Sequence, residues 1–188
     1  RAGGQGGERM KLAFVVDPLA SLKPYKDSSV AMMREAVRRG HEVYALQARD
    51  MYVGDGAVLA NVVRLDVSSD NDSWFRATAP LEAALSAFDC VLMRKDPPFD
   101  QEYYYATLLL DGVQAQGGWV VNDPRGLRDW NEKLSILRFP QYTPPTLVAS
   151  VRPACSSPNG HANSTASVCV ISTVTNAIFT GVPSIWRA

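Results

Sequence analysis

Apolar positions first gather at residues 11–16, KLAFVV, which predicts a short buried strand that stops at Asp17-Pro18. A polar loop with Lys23, Pro24 and Lys26 follows, and Asp27-Ser28-Ser29 supplies good N-caps for a helix. Val30, Met33, Ala36 and Val37 then recur at helical spacing, and Arg38, Arg39 and Gly40 suit the helix end, cations at its negative pole and glycine at the stop. Residues 41–46, HEVYAL, alternate as a second strand. Strand, helix, strand in this order predicts a parallel α/β layer.

Residues 51–67 change period and predict a hairpin turning at Gly54-Asp55-Gly56. Residues 71–74 are polar and loop-like, 80–87 predict a short helix, and 89–93 a further strand. After the corner MRKDPPFD, residues 101–116 predict a helix with Tyr105, Leu108, Leu109 and Val113 on one face, ended by Gly117-Gly118. Residues 119–122 predict another strand, and Pro124 suits the first position of a short helix. Asp129 and Glu132 are spaced as an Asp version of a capping box ahead of Lys133.

From residue 151 onward the chemistry changes. This stretch holds no Asp, Glu or Lys, is rich in Ser, Thr, Asn and Ala, and carries Cys155 and Cys169. It is expected to be irregular: either a foreign continuation, as a frameshift would give, or a disordered polar tail. Residues 168–179 within it are uncharged and β-prone.

The charge balance removes whole classes of function. Nineteen Lys and Arg stand against nineteen Asp and Glu, which argues against nucleic acid or an anionic membrane surface as partner. Three cysteines without a CxxC fit a reduced, cytoplasmic protein rather than a disulfide framework. Two histidines make a His-based zinc site implausible, and no metal site is expected. No run is long and apolar enough to span a bilayer. Residues 1–9, RAGGQGGER, lack the apolar core of a signal peptide and are expected to be a flexible leader.

Three loops fall at the carboxyl ends of expected parallel strands: 17–29, 93–100 and 122–133. Ligands of open α/β sheets bind at that edge. The first loop has no GxGxxG, which counts against a dinucleotide-binding oxidoreductase. Ser28 and Ser29 at a helix start could hold a carboxylate or phosphate, or could serve only as part of the cap. In MRKDPPFD, Arg94 presents a planar fork suited to a carboxylate, stiffened by Pro97 and Pro98, with Phe99 packing beneath and Asp100 capping the next helix. The other reading is a tight corner in which Arg94, Lys95 and Asp96 pair locally. Lys133 by itself reads as a solvated lysine, and Cys90 as a small buried hydrophobe.

The stretches VVDPLASLKPYKDSS, VLMRKDPPFDQEYYYATLLLD, VVNDPRGLRDWNEKL and TPPTLV resemble, in the same order and at similar spacing, the bacterial glutathione synthetase family. The resemblance runs from residue 10 to about residue 150 and implies an open, mainly parallel sheet with flanking helices, a Rossmann-like pre-ATP-grasp domain over 10–128. The start of an ATP-grasp domain would occupy 129–150, before the tail at 151–188. It implies a ligase that joins γ-glutamylcysteine to glycine with ATP and magnesium through an acyl phosphate, in a homo-oligomer. Lys133 matches the family's phosphate-contacting lysine at the start of the ATP-grasp domain. Arg94 matches a position on the substrate side, where it would hold a peptide carboxylate, with Asp17, Ser28 and Ser29 on the same edge.

The family's glycine-rich loop and acidic magnesium ligands have no counterpart here, and a tail without Asp or Glu cannot supply them. The expectation is therefore a glutathione synthetase fragment inactive by itself. The alternative is a non-catalytic substrate-binding or dimerisation module of the same fold.

Overall fold

The computed structural model describes residues 8–130, 134–143, 146–149, 168–173 and 176–180. Two compact units, residues 1–128 and 129–188, divide the chain. In the first, β1 (Lys11–Val15), α1 (Ser28–Arg38) and β2 (Glu42–Leu46) make the expected opening unit. Asp27 caps α1 by accepting from the backbone of Ser29 and Val30, and Gly40 beyond its end takes φ +87, a left-handed conformation that glycine adopts without a Cβ penalty.

β3 (Met51–Gly54) and β4 (Ala57–Val67) form the expected hairpin. Its two turn residues, Asp55 and Gly56, have φ of 50° and 77°, the positive pair that matches the twist of a two-residue hairpin. The long β4 also pairs with β5 (Phe75–Ala77) and β6 (Leu81–Ala84). Residues 80–87 are thus not the expected helix. Their Ala, Leu and Glu favour helix locally, but the ladder to β4 and the burial of Leu85 in a following 3-10 turn override that preference. β5 follows the 71–74 loop, too short a segment to show a period.

β7 (Cys90–Met93), α2 (Gln101–Ala115), β8 (Val120–Val121) and α3 (Pro124–Asp129) complete the unit. The sheet order is β3-β4-β2-β1-β7-β8, with β2, β1, β7 and β8 parallel and the remaining strands an antiparallel extension. α1 covers one face, packing Val30, Met33 and Ala36 with Phe14, Val43, Ala45 and Leu92. α2 covers the other, packing Tyr103, Ala106, Leu110 and Val113 with Ala13, Val15, Val91 and Met93. The buried face of α2 is rotated from the expected one: Val113 is buried and Leu109 packs against the core, but Tyr105 and Leu108 are exposed. Three consecutive tyrosines and three consecutive leucines offer apolar groups in every direction. The small Ala106 and Gly112 decide which side approaches the sheet.

In the second unit Trp130 and Phe139 stack at 6.0 Å, and the Arg138 guanidinium lies 4.3 Å from the Trp130 ring centre. A three-stranded sheet joins β9 (Thr146–Ala149), β10 (Val168–Thr173) and β11 (Asn176–Thr180) in the order β11-β10-β9. β10 and β11 lie in the stretch expected to be irregular, on or at the edge of its β-prone segment, whereas β9 precedes that stretch. Residues 1–7 of the expected leader, Glu132 of the expected capping box, Lys133 and the rest of the tail lie outside the described residues.

Candidate functional site

β1 and β7 are adjacent parallel strands, registered Leu12 to Cys90 and Val15 to Met93. The chain leaves β1 for α1 on one face and leaves β7 for α2 on the other. Their carboxyl ends therefore form the point where connections diverge and a crevice opens. The residues at that point are Asp17 on one side and Arg94, Lys95 and Asp96 on the other.

They are joined across the gap, not within the corner. The Arg94 backbone N–H donates to the Val15 carbonyl at 2.8 Å, prolonging the ladder by one step. The Arg94 side chain turns to the head of α1: Nη2 donates to Ser28 Oγ at 2.7 Å and Nε to Ser29 Oγ at 3.3 Å. Lys95 Nζ meets Asp17 Oδ1 at 3.3 Å, and the Asp96 N–H donates to Asp17 Oδ2 at 2.9 Å. The reading in which Arg94, Lys95 and Asp96 pair with one another is thus replaced by cross-strand links to Asp17, Ser28 and Ser29.

The corner itself is held as its sequence suggests. Asp100 caps α2 by accepting from Tyr103 N at 2.9 Å, and the Phe99 ring lies 5.0 Å from that of Tyr103. Burial raises the Tyr103 phenol above its ordinary pKa; nearby Arg94 opposes the shift and Asp96 adds to it. Cys90, buried within β7, has its thiol pushed up by desolvation, so it stays protonated and packs as a hydrophobe.

Between these elements lies a cleft of about 390 Å³ lined by the loop after β1, by Asp27, Ser28 and Ser29, and by Arg94 and Asp96. Lys23 and Lys26 add cations to its wall. Asp27 is engaged as the cap of α1 and Asp17 by Lys95 and Asp96. Four of the residues marked from sequence, Asp17, Ser28, Ser29 and Arg94, therefore meet in one cleft. Lys95 was missed as a site residue. Its link to Asp17 joins positions 78 apart, and no local pattern reveals that β7 lies beside β1.

The described part of the third loop, residues 122–130, opens the short helix α3. Asp123 accepts from Gly126 N at 2.8 Å, and that bond lowers the carboxyl below its ordinary pKa. Among the described residues no group of three or more His, Cys, Asp and Glu could hold a metal ion. Among the same residues no helix is long and apolar enough to cross a membrane.

The family profile described as prokaryotic glutathione synthetase, N-terminal domain, matches residues 10–128. A glutathione synthetase of Nitrosomonas europaea is 53% identical over 144 residues, 75% of this chain and 45% of that protein. Those of Vibrio cholerae and Neisseria meningitidis are each 45% identical, over 139 and 145 residues, covering 74% and 75% of this chain. The matched stretch spans less than half the length of each of these relatives. These matches do not favour the alternative of a non-catalytic module. With the expected sheet, the cleft at its strand ends and the profile match in agreement, the chain belongs to the prokaryotic glutathione synthetase family of ligases and carries that family's N-terminal domain.

Proposed function

We propose that this chain supplies the peptide-binding side of a glutathione synthetase, with Arg94 holding a carboxylate of γ-glutamylcysteine and Asp17, Ser28 and Ser29 shaping the cleft around it. The observation that carries the reading is the Arg94 guanidinium fixed on Ser28 and Ser29 beside a cleft at the strand ends. γ-Glutamylcysteine bears carboxylates and an ammonium group, and a lining of both signs suits such a ligand better than a single-sign patch would. In the reaction proposed for the intact protein, ATP phosphorylates the cysteinyl carboxylate and the glycine amine then displaces phosphate. Positioning and fixed charges carry the rate of such a transfer.

Lys133, by its match to the family lysine, would contact a nucleotide phosphate. The magnesium ligands and the remainder of the ATP site would come from sequence that this chain does not share with its relatives, so the chain alone is inactive in ligation. The proposed setting is the cytoplasm, and the proposed assembly of the intact protein is a homo-oligomer.

Calorimetric titration of the 188-residue chain tests this. γ-Glutamylcysteine should bind, and Arg94→Lys, which replaces the planar fork by a point charge, should weaken it on the order of tenfold. Mg-ATP should not bind at micromolar concentration. Peptide affinity unchanged by Arg94→Lys, or no peptide binding, would overturn the reading.

A further inference from the structure

We propose that Asp17 and Lys95 are positioning residues that set the direction of the Arg94 guanidinium, an inference that rests on the cleft being a peptide-carboxylate site. The Arg94 backbone is tied from both sides. Its own N–H is bonded to Val15 at 2.8 Å, and the next two residues are both bonded to the Asp17 carboxylate, one through a side chain at 3.3 Å and one through a backbone N–H at 2.9 Å. Each Asp17 oxygen has one of these donors, so the carboxylate fixes two points of the corner with a single group.

The pair is sheltered: the Lys95 side chain is 13% exposed and that of Asp17 29%. At that burial an ion pair is screened less than a surface one, and removing one partner leaves the other half-desolvated and free to seek a new partner. Asp17 and the Arg94 guanidinium line the same cleft, and Lys95 adjoins Arg94 in the chain. Without Lys95, Asp17 can compete for the Arg94 guanidinium; without Asp17, Lys95 can compete for the ligand carboxylate. Lys95 thus has its charge taken up by Asp17, which leaves Arg94 as the cation that the corner turns toward Ser28 and Ser29. A brace of purely structural use would affect unfolding but not the arginine's direction.

The experiment uses the 188-residue chain with Asp17→Asn, Lys95→Met, Lys95→Arg and the Asp17→Asn/Lys95→Met double variant. Asp17→Asn keeps the side chain's shape and an acceptor for the Asp96 N–H, so it tests the ion pair even where Lys95→Met does not fold. The readouts are solvent exchange of the Arg94 Nε–H by NMR and calorimetric affinity for γ-glutamylcysteine. Each charge-removing single variant should speed that exchange and weaken the peptide on the order of tenfold. The double variant should be no worse than the weaker single, and Lys95→Arg should restore most of the affinity. Folded variants with unchanged Arg94 exchange, or penalties that add in the double variant, would overturn the proposal. If the wild-type chain binds no peptide but Arg94 exchange still responds to Asp17→Asn, the orienting pair is upheld and the ligand assignment falls.

Discussion

Gly112 of α2 lies directly against Val58 of β4: a Cβ at Gly112 would stand 2.9 Å from Val58 Cγ2. Valine is stiff about χ1, so its methyl cannot swing aside cheaply. Gly112→Ala gains about 1 kcal/mol in helix propensity but forces an overpacked contact costing about 1–3 kcal/mol. The expected net is a loss of about 1 kcal/mol. Urea unfolding of Gly112→Ala, Val58→Ala and the pair checks this. The pair should lose less than the sum of the singles, because Val58→Ala removes the obstructing methyl.

Asp27 joins stability to the cleft. Its carboxylate accepts from Ser29 N at 2.7 Å and Val30 N at 3.2 Å, and the same serine hydroxyl accepts from Arg94. Asp27→Ala should cost about 1 kcal/mol, the usual value of an N-cap. Amide exchange should quicken at Ser29 and Val30 before it does at the end of α1. Unchanged exchange at those two positions would show that the cap contributes nothing.

Arg34 ties two loop segments to α1. Its guanidinium donates to the carbonyls of Ser68, Pro24 and Asp70 at 2.9, 3.2 and 3.0 Å, and to Asn71 Oδ1 at 3.1 Å. Pro24 lies between the two lysines of the cleft wall. Arg34→Met should lower stability by about 1–2 kcal/mol, because water replaces only part of a charge-assisted set. Arg34→Lys should not rescue it, since one ammonium group cannot match the spread of the fork. Equal urea midpoints for wild type and Arg34→Met would refute this.

Acid should weaken the fold in a defined window. Hydrogen bonds from Arg38 and then Arg39 lower Glu35 from its ordinary 4.5 to about 2. Glu42 is lowered by its bond from Tyr44, Asp70 by the backbone N–H of Asp72, and Asp123 by that of Gly126. A carboxylate whose pKa is depressed on folding stabilises fully above its unfolded value and loses that contribution as pH falls through the folded one. For Glu35 the loss therefore runs from about pH 4.5 down to about 2. Thermal midpoints should fall across that range, and Glu35→Gln should flatten part of the fall. An identical profile for Glu35→Gln would dismiss its share.

Local signals in the sequence reached as far as local physics does. The cap at Asp27, the glycine stop at Gly40, the hairpin at Asp55-Gly56 and the cap at Asp100 depend on neighbours within a few residues, and each stands where its residue type requires. The strand at Leu81–Ala84 was hidden because its stability comes from pairing with β4, not from its own composition. The buried side of α2 was hidden because the tyrosine and leucine runs blur the helical period. Within the cleft, Arg94 and Asp17 could be marked from their places at strand ends, and Ser28 and Ser29 from theirs at a helix start. Lys95 could not, because its role depends on which strand lies beside β1.

The bond between Lys95 and Asp17 spans 78 positions of chain, and β1 finds β7 only across a similar distance. During synthesis, β1, α1, β2 and the hairpin can associate while β7 is still within the ribosome. The crevice has only one bank at that stage. A nascent chain halted before the second bank emerges would carry a native-like layer without this cleft, so closure of the cleft would serve as a timer for completion of the domain.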